Sequence, residues 1–379
     1  MKDQPPYSIC LDARFWRSET GGLGRYTREL IKHLAELDKT NHYTVLLTAD
    51  DMPEWDIDQA NFTPLVVPII HYSLSEQTKF LQILNQHHFD LVHFLNFNHP
   101  IGYLRPFVTT IHDMTLFFFP GGQKKQKPVR RVAFRYIFKH ASTKATKVIA
   151  ISNYTKNDIQ KYFHVKSDKI AVVYEGGPDP YKLPKNHLEL AQNYLKTNQP
   201  YFLFVSQWRP HKGILTLVRA FEQFKRETKL PHRLVLLGSQ KMATLEVLDA
   251  IKNSEFKADI LAPGFAPDDV LASLYKNACA FVVPSEYEGF GLPVLEAYSY
   301  NTPVIVANNS SLPEVAGDAA IYFPTKDVAK LAEAMQKITQ DHDLDKSLRA
   351  REIDQLAKFS WDKCAKETLD VYLSILSSK

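Results

Sequence analysis

Two carboxylates and a glycine turn stand close together in the second half of the chain. Glu288 precedes the turn Gly289-Phe290-Gly291, and Glu296 lies eight positions after Glu288. Proline suits the first turn of a helix, so a helix is predicted to begin near Leu292 or Pro293. The amide groups at its start would face the glycine turn and bind an anion such as a diphosphate. The two carboxylates would flank that anion and accept hydrogen bonds from the hydroxyls of a sugar and a ribose.

A basic loop follows the apolar run 201–206 and contains Arg209, His211 and Lys212 before Gly213. Cations held there would stabilise the negative charge that a departing diphosphate develops. One well-placed contact of this kind is worth about 3 kcal/mol of activation free energy. Arg209 and Lys212 are therefore candidate catalytic cations. The alternative interpretation is an exposed basic loop without a ligand.

The segment 284–297 resembles the Glu-x7-Glu motif of retaining glycosyltransferases with the GT-B fold, in the large family 4 that includes bacterial mannosyltransferases. The segments 301–307 and 311–320 are similar to this family too, and the likeness extends over nearly the whole chain. The resemblance implies that Glu288 holds the transferred sugar, that Glu296 anchors the ribose, and that the turn and helix start bind the donor through Phe290, Gly291 and Leu292. Lys212 matches the family lysine. Gln207 stands where many members have arginine, and Arg209 follows two residues later.

The first half carries weaker candidates, and each has a structural alternative. Gly22 lies in a glycine-rich loop before a helix predicted near Leu23, and a simple turn is as good an explanation. The resemblance implies that Gly22 contacts the donor. His112 ends an apolar strand, where a histidine is commonly structural, but relatives place a sugar-contacting histidine there. Asp113 is predicted to cap or to lie in a loop. Four polar residues near a strand end are candidates to contact the acceptor: His93, Asn96, Asn98 and His99.

Short apolar runs alternate with helical segments along the chain, which predicts parallel sheets covered by helices on both faces. The predicted strands are 8–12, 43–48, 64–70, 91–95, 107–111, 147–151, 170–174, 201–206, 233–238, 259–261, 280–284, 303–307 and 320–323. We therefore expect two doubly wound, Rossmann-like domains with a cleft between them. Residues 1–180 would bind the acceptor and residues 181–358 the nucleotide sugar. The amphipathic segment 359–379 would form a helix that crosses back to the first domain, as the family implies.

Charge is unevenly distributed, although the net charge is only +4. Residues 114–157 contain ten bases and no acid, so the rest of the chain is net acidic. Aromatic residues beside this basic segment suggest that 117–147 binds an anionic membrane surface; a core-packed helix with a solvated basic rim is the alternative. No base-stacking or groove-reading motif accompanies the charge, so nucleic acid is not an expected partner. Three scattered cysteines and no apolar leader predict a cytoplasmic protein, peripheral at the inner face of the membrane.

The expected activity is metal-independent, retaining transfer of a hexose to a glycan or lipid-linked acceptor. Asp56-Ile57-Asp58 matches an Asp-x-Asp metal motif, but its polar setting suggests chance, so no metal is expected. The resemblance to mannosyltransferases favours GDP-mannose as donor, with a UDP-sugar as the alternative. A sugar-nucleotide epimerase and a glycosidase that uses Glu288 and Glu296 are the rival functions.

Overall fold

Two separate β-sheets organise the chain, and each belongs to its own unit. The computed structural model describes residues 6–17, 21–119, 128–177 and 183–378, with the backbone alone for 128–131. The described residues of the first unit lie within Met1–Phe117, Lys127–Gly176 and Phe359–Lys379. Those of the second unit lie within Phe118–Gln126 and Gly177–Lys358. The chain therefore returns to the first unit after completing the second.

The first unit is built on seven strands: β1 (Ser8–Asp12), β2 (His42–Leu47), β3 (Phe62–Val66), β4 (Leu91–Phe94), β5 (Phe107–Ile111), β6 (Lys147–Ala150) and β7 (Ile170–Val172). Their order in the sheet is β3-β2-β1-β4-β5-β6-β7, and every neighbouring pair is parallel. The predicted parallel sheet is confirmed. All carboxyl ends of these strands consequently meet at one edge, where the loops that follow them can bring polar side chains together.

The third strand departs furthest from its predicted bounds. The apolar run suggested 64–70, whereas β3 covers Phe62–Val66 and pairs Pro64 with Val45 of β2. Proline cannot donate a ladder hydrogen bond, but β3 is an edge strand that pairs on one side only, so Pro64 is tolerated. Apolar residues that follow Val66 belong to the connecting loop.

Five helices of the first unit connect these strands: α1 (Gly22–Leu37), α2 (Leu81–Gln86), α3 (Thr115–Phe118), α4 (Pro128–Lys144) and α5 (Asn153–Phe163). A π-helical turn at Glu76–Phe80 leads into α2. Ser152 caps α5, because its hydroxyl accepts a hydrogen bond from the Thr155 amide at 3.0 Å. Asp113 likewise accepts from the Thr115 amide at 2.7 Å and caps α3.

The second unit contains six strands: β8 (Tyr201–Val205), β9 (Arg233–Leu237), β10 (Ile260–Gly264), β11 (Ala280–Val283), β12 (Val304–Ala307) and β13 (Ala320–Phe323). They form a parallel sheet in the order β10-β9-β8-β11-β12-β13. Its helices are α6 (His187–Leu195), α7 (Ile214–Thr228), α8 (Leu245–Asn253), α9 (Asp268–Asn277), α10 (Leu292–Ser299), α11 (Leu312–Ala316), α12 (Val328–Gln340) and α13 (His342–Leu356). Because β8 and β11 are neighbours, the loops that follow them leave the sheet side by side.

The last helix, α14 (Trp361–Leu376), packs against α1 in the first unit. Its apolar face contributes to the buried core of that unit, together with β1, β2 and α1. A buried hydrogen bond joins the Tyr372 hydroxyl to Nδ1 of His93 on β4 at 2.6 Å. The C-terminal helix is therefore part of the first unit's core.

Replacing Tyr372 by Phe tests how strongly this hydrogen bond anchors α14. His93 is fully buried, so the change leaves one ring nitrogen without its partner. We expect the free energy of unfolding to fall by about 1–3 kcal/mol, the usual cost of an unsatisfied buried polar group. Chemical denaturation measures it. The matched control is Tyr136→Phe, at a side chain 57% exposed, and an equal loss in both variants would contradict the assignment.

Candidate functional site

An ion pair lies at the carboxyl edge of the second unit's sheet. Lys212 belongs to the turn Pro210–Lys212 that follows β8, and Glu288 belongs to the loop that follows β11. Lys212 Nζ is 2.7 Å from Glu288 Oε1 and 2.9 Å from Oε2. The two loops are also joined by the Glu286 amide, which donates to the His211 carbonyl at 2.7 Å. Neighbouring strands thus bring together two side chains that are far apart in sequence.

The carboxylate of Glu288 is held in its ionised form. Burial by itself would raise its pKa, but the charge of Lys212 and hydrogen bonds from Lys212 and Ser285 together lower the pKa below its ordinary value. The Ser285 hydroxyl donates to Oε1 at 2.6 Å, and the Glu288 amide donates to the Ser310 hydroxyl at 3.0 Å. Both main chain and side chain of Glu288 are therefore fixed in place.

The predicted glycine turn and helix start are present. Gly291 has φ +119°, and α10 begins at Leu292 with no side-chain cap on Gly291. A Cβ on Gly291 would also lie 3.2 Å from Leu312 Cδ2, so glycine suits this position on two grounds. Ser311 Oγ donates to the Phe290 carbonyl at 2.6 Å. The Phe290 side chain is 3% exposed and packs in the interior, so its aromatic ring is not offered to a ligand.

Glu296 lies one turn into α10, as predicted, but its contacts differ from those of Glu288. Its Oε2 accepts a hydrogen bond from the Tyr275 hydroxyl of α9 at 2.9 Å. Tyr275 is itself buried against Phe281 and Tyr300. A rigid tyrosine therefore orients the Glu296 carboxylate.

Arg209 contributes to a different feature from the Lys212–Glu288 pair. It is exposed and lines a cleft of about 410 Å³ between the starts of α7, α8 and α12. Trp208, Glu246 and Lys326 line the same cleft, whereas Lys212 and Glu288 are not among its described lining residues. Main-chain contact joins the two residues, because the Lys212 amide donates to the Arg209 carbonyl at 3.0 Å and closes the turn at Pro210. The Arg209 side chain lines the cleft, whereas the Lys212 side chain pairs with Glu288.

His112 stands at the carboxyl end of β5 in the first unit. Its Nε2 is 2.9 Å from the Leu95 carbonyl oxygen, and its Nδ1 is 3.2 Å from Glu175 Oε1. The ring of Tyr26 meets it edge-on, with centroids 4.6 Å apart. Only 11% of the His112 side chain is exposed. Sequence reasoning missed Glu175 as the partner of His112.

The glycine loop of the first unit ends where α1 begins. Gly21 has φ +67° and precedes Gly22, the first residue of α1. No atom of the described residues lies within 4 Å of a Cβ placed on Gly22. The described residues therefore leave room at Gly22 for a ligand to approach the main chain.

The four strand-end residues are buried, so the expectation that they contact the acceptor was wrong. His93 lies within β4 and bonds Thr110 and Tyr372, while Asn96, Asn98 and His99 are all buried. Asn98 Nδ2 donates to Glu76 Oε1 at 2.8 Å, and His99 Nε2 lies 2.9 Å from His140 Nδ1. These polar groups satisfy one another inside the unit because isolated polar groups are costly to bury.

Helix α4 shows which part of the basic segment faces solvent. Phe138 and Ala141 are buried, and Phe138 packs against Phe97 and Phe163. This side of α4 therefore packs in the core, as the alternative of a core-packed helix expects. Val132 and Tyr136 are exposed, at 67% and 57%. Exposed basic residues flank these two side chains: Arg135, Lys139 and Lys144. Other bases of this segment lie outside the described residues: Lys124, Lys125, Lys127 and the side chains of Arg130 and Arg131.

Among the described residues, one group of three side chains is suited to bind a metal ion, formed by His33, Glu36 and Asp362 on α1 and α14. No candidate site residue belongs to this group. Asp56 of the Asp-x-Asp sequence instead binds Lys32 Nζ at 2.7 Å. Metal independence stays a prediction. Within the described ranges, no helix combines the length and apolar character needed to cross a bilayer.

Comparison with known families covers both halves of the chain. The family described as glycosyltransferase family 4 matches residues 20–176, and the family described as glycosyl transferases group 1 matches residues 187–355. The O-antigen chain mannosyltransferase B of Escherichia coli is 29% identical over 368 residues, which are 93% of this chain and 95% of that protein.

Solved structures agree on the fold. The sucrose-phosphate synthase of Thermosynechococcus elongatus superposes with a TM-score of 0.76 at 19% identity, covering 98% of this chain and 100% of that one. Anabaena Alr3699/HepE in complex with UDP-glucose gives 0.73 at 17% identity, covering 97% and 99%. Two doubly wound parallel sheets of this kind define the GT-B class of glycosyltransferases. The chain belongs to glycosyltransferase family 4, with a group 1 domain in its second half, and is an enzyme that transfers a hexose.

Replacing Lys212 by Met tests the electrostatics of the ion pair. Burial raises the pKa of Glu288, and the Lys212 charge lowers it. Because the variant lacks that charge, we expect the pKa of Glu288 to rise. Carboxyl ¹³C NMR over a pH titration measures it. The matched control is Lys326→Met, which removes an exposed lysine paired with Glu286 and should leave Glu288 unchanged. An unaltered pKa in Lys212→Met would refute the pairing.

Proposed function

We propose that this enzyme transfers mannose from GDP-mannose to a glycan or lipid-linked acceptor during synthesis of a cell-surface polysaccharide. Transfer would retain the anomeric configuration and need no metal ion. The name of the Escherichia coli relative supports mannose and a polysaccharide product. The UDP-glucose bound by the Anabaena protein keeps a UDP-sugar as the alternative donor.

The Lys212–Glu288 pair is the observation that carries this proposal. An ammonium group has three donors, so Lys212 can contact a phosphate oxygen while it keeps Glu288 in place. The two oxygens of Glu288 offer about four acceptor positions, and those beyond Lys212 and Ser285 suit hydroxyls of the transferred sugar. The pair thus suits simultaneous binding of a diphosphate and a hexose. Gly291 and the start of α10 would add main-chain donors for the diphosphate.

The same pair argues against Glu288 as the general acid of a glycosidase. A glycosidase needs one carboxyl group that stays protonated to act as general acid. Lys212 and Ser285 instead lower the pKa of Glu288 and keep it ionised. A negative Glu288 suits hydroxyl recognition and stabilisation of positive charge on the sugar ring.

Positioning and charge stabilisation would account for the chemistry. The acceptor hydroxyl would attack the face of the sugar from which the diphosphate leaves, and Lys212 would neutralise the leaving group. Glu296, oriented by Tyr275, would hold the ribose. In the first unit, His112 would meet the transferred sugar and Gly22 would allow close approach of the donor. Arg209, hydrogen-bonded through its carbonyl to the Lys212 amide, would add a second positive charge at the diphosphate.

Donor binding and transfer can be separated by variants of the second unit. We expect GDP-mannose to raise the melting temperature more than UDP-glucose does, since bound ligand stabilises by mass action. Lys212→Ala and Glu288→Ala should each lower kcat by about 10²–10³-fold. Glu296→Ala should chiefly raise KM for the donor.

Lys252→Ala, at an exposed position of the same unit, is the control and should behave as wild type. Transfer should also survive EDTA, and product NMR should show the donor's anomeric configuration. Wild-type kcat in Lys212→Ala or Glu288→Ala, or inversion at the anomeric carbon, would refute the mechanism.

We also propose that α4 attaches the enzyme to the cytoplasmic leaflet. Val132 and Tyr136 are four residues apart and therefore neighbours on the helix surface, as are Arg135 and Lys139. Exposed apolar side chains beside cations suit an anionic lipid interface. Leu74 is 89% exposed in a loop whose Tyr72 packs on Phe134 of α4, and it adds apolar surface nearby.

Liposome co-sedimentation tests this attachment. Binding should require anionic lipid and should fall several-fold in a Val132→Asp, Lys139→Glu double variant, because each bilayer-facing charge contributes about 1 kcal/mol. The control is Lys252→Glu, which changes the net charge by the same amount as Lys139→Glu but lies in the second unit. This control should bind vesicles like the wild type. Equal binding to neutral vesicles would contradict the proposal.

A further inference from the structure

The His112 ring is held between two hydrogen-bond acceptors. On one side, Nε2 lies 2.9 Å from the main-chain carbonyl oxygen of Leu95. On the other, Nδ1 lies 3.2 Å from Oε1 of Glu175. A carbonyl oxygen can only accept, so Nε2 must carry a hydrogen.

A neutral imidazole has only one N–H, and Nε2 already uses it. Its Nδ1 lone pair would then point at an ionised Glu175, which also only accepts. The contact requires one more proton between Nδ1 and Oε1. Since a carboxylic acid releases a proton more readily than an imidazolium ion, this proton belongs on the imidazole. The geometry therefore describes a cationic His112 paired with an anionic Glu175.

The other titratable groups around the pair leave this charge balance intact. Tyr26 meets the His112 ring, and Tyr26 and Cys364 both have a pKa raised far above the ordinary value, by burial first and then by neighbouring groups that include Glu175. Burial and the His112 charge lower the pKa of His93 to about 3. These three groups are therefore neutral near pH 7. Asp113 is engaged in capping α3.

The main chain beside Glu175 is held by the C-terminal helix. A Cβ on Gly176 would lie 2.4 Å from Cγ of Trp361 and 2.5 Å from its amide nitrogen, so only glycine fits against the start of α14. Glu175 itself is 4% exposed. A buried carboxylate fixed in this way strongly favours a cationic partner.

We propose that Glu175 is a positioning residue that keeps His112 doubly protonated and fixes its ring between Leu95 and the carboxylate. This role rests on the proposed function, in which His112 meets the transferred sugar. Loss of the shared proton would set the Nδ1 lone pair against the carboxylate and release the ring. Transfer should therefore decline as the pH rises through titration of the pair.

Histidine ¹⁵N NMR tests the protonation state without any substrate. The His112 signals are assigned by their loss in His112→Asn. We expect both ring nitrogens to be protonated near pH 7 in the wild type. In Glu175→Gln the side-chain amide can donate to Nδ1, so His112 should become neutral with its hydrogen on Nε2. Glu36→Gln, at an exposed glutamate of α1, should change nothing. A neutral wild-type His112, or a doubly protonated one in Glu175→Gln, would overturn the proposal.

The pH profile of kcat then tests the positioning role. Glu175→Gln should keep measurable transfer but lose the alkaline decline. Glu175→Ala should lower kcat by up to about 10²-fold, since it leaves the ring free to rotate, with its melting curve confirming that it folds. An unchanged alkaline decline in Glu175→Gln would refute the role. The expected NMR result without hexose transfer would instead refute the proposed function and leave the charged pair standing.

Discussion

Burial of a carboxylate beside a cation is the interaction on which both candidate regions depend. In the second unit Glu288 is paired with Lys212, and in the first unit Glu175 faces His112. Each pair lies where strands of a parallel sheet end. A buried charge without a partner is strongly unfavourable, so each side chain requires the other. The pairs thereby preserve charged, oriented groups in the otherwise apolar surroundings of the sheets.

The parallel topology explains why these partners can meet. Lys212 and Glu288 are 76 residues apart, and His112 and Glu175 are 63 apart. Helical crossovers return the chain to the same edge after every strand, so distant loops become neighbours there. In the second unit β8 and β11 are adjacent although two strands separate them in sequence. This adjacency turns two separate motifs into one ion pair.

Rigid surroundings distinguish the functional carboxylates from ordinary surface acids. Ser285, Ser310 and Lys212 fix Glu288, and Tyr275 orients Glu296. These hydrogen bonds exist before the substrate binds, so the carboxylates need little reorganisation during the reaction. Arg209 lies three residues before Lys212 and lines a cleft beside the pair's loop. The ion pair with Glu288 is the reason that Lys212 is our preferred candidate for the cation at the diphosphate.

The sequence by itself determined the local features of this protein. Continuous apolar runs indicated the strands of both sheets, because strands covered on two faces need apolar residues throughout. Gly291 and Pro293 indicated the start of α10, since these signals act within one helical turn. The similarity of the Glu288–Glu296 segment to family 4 indicated the enzyme class. Each of these inferences needed only residues close together in the chain.

Tertiary structure alone decided which side chains face each other. The sequence offered no sign that Glu175 would meet His112, or that His93 and Asn98 would be buried with polar partners. It also placed β3 too late, because an apolar run does not reveal where ladder pairing stops. Hydrogen bonds and ion pairs between distant residues depend on sheet order and helix packing. Those arise from the whole fold, and no local pattern encodes them.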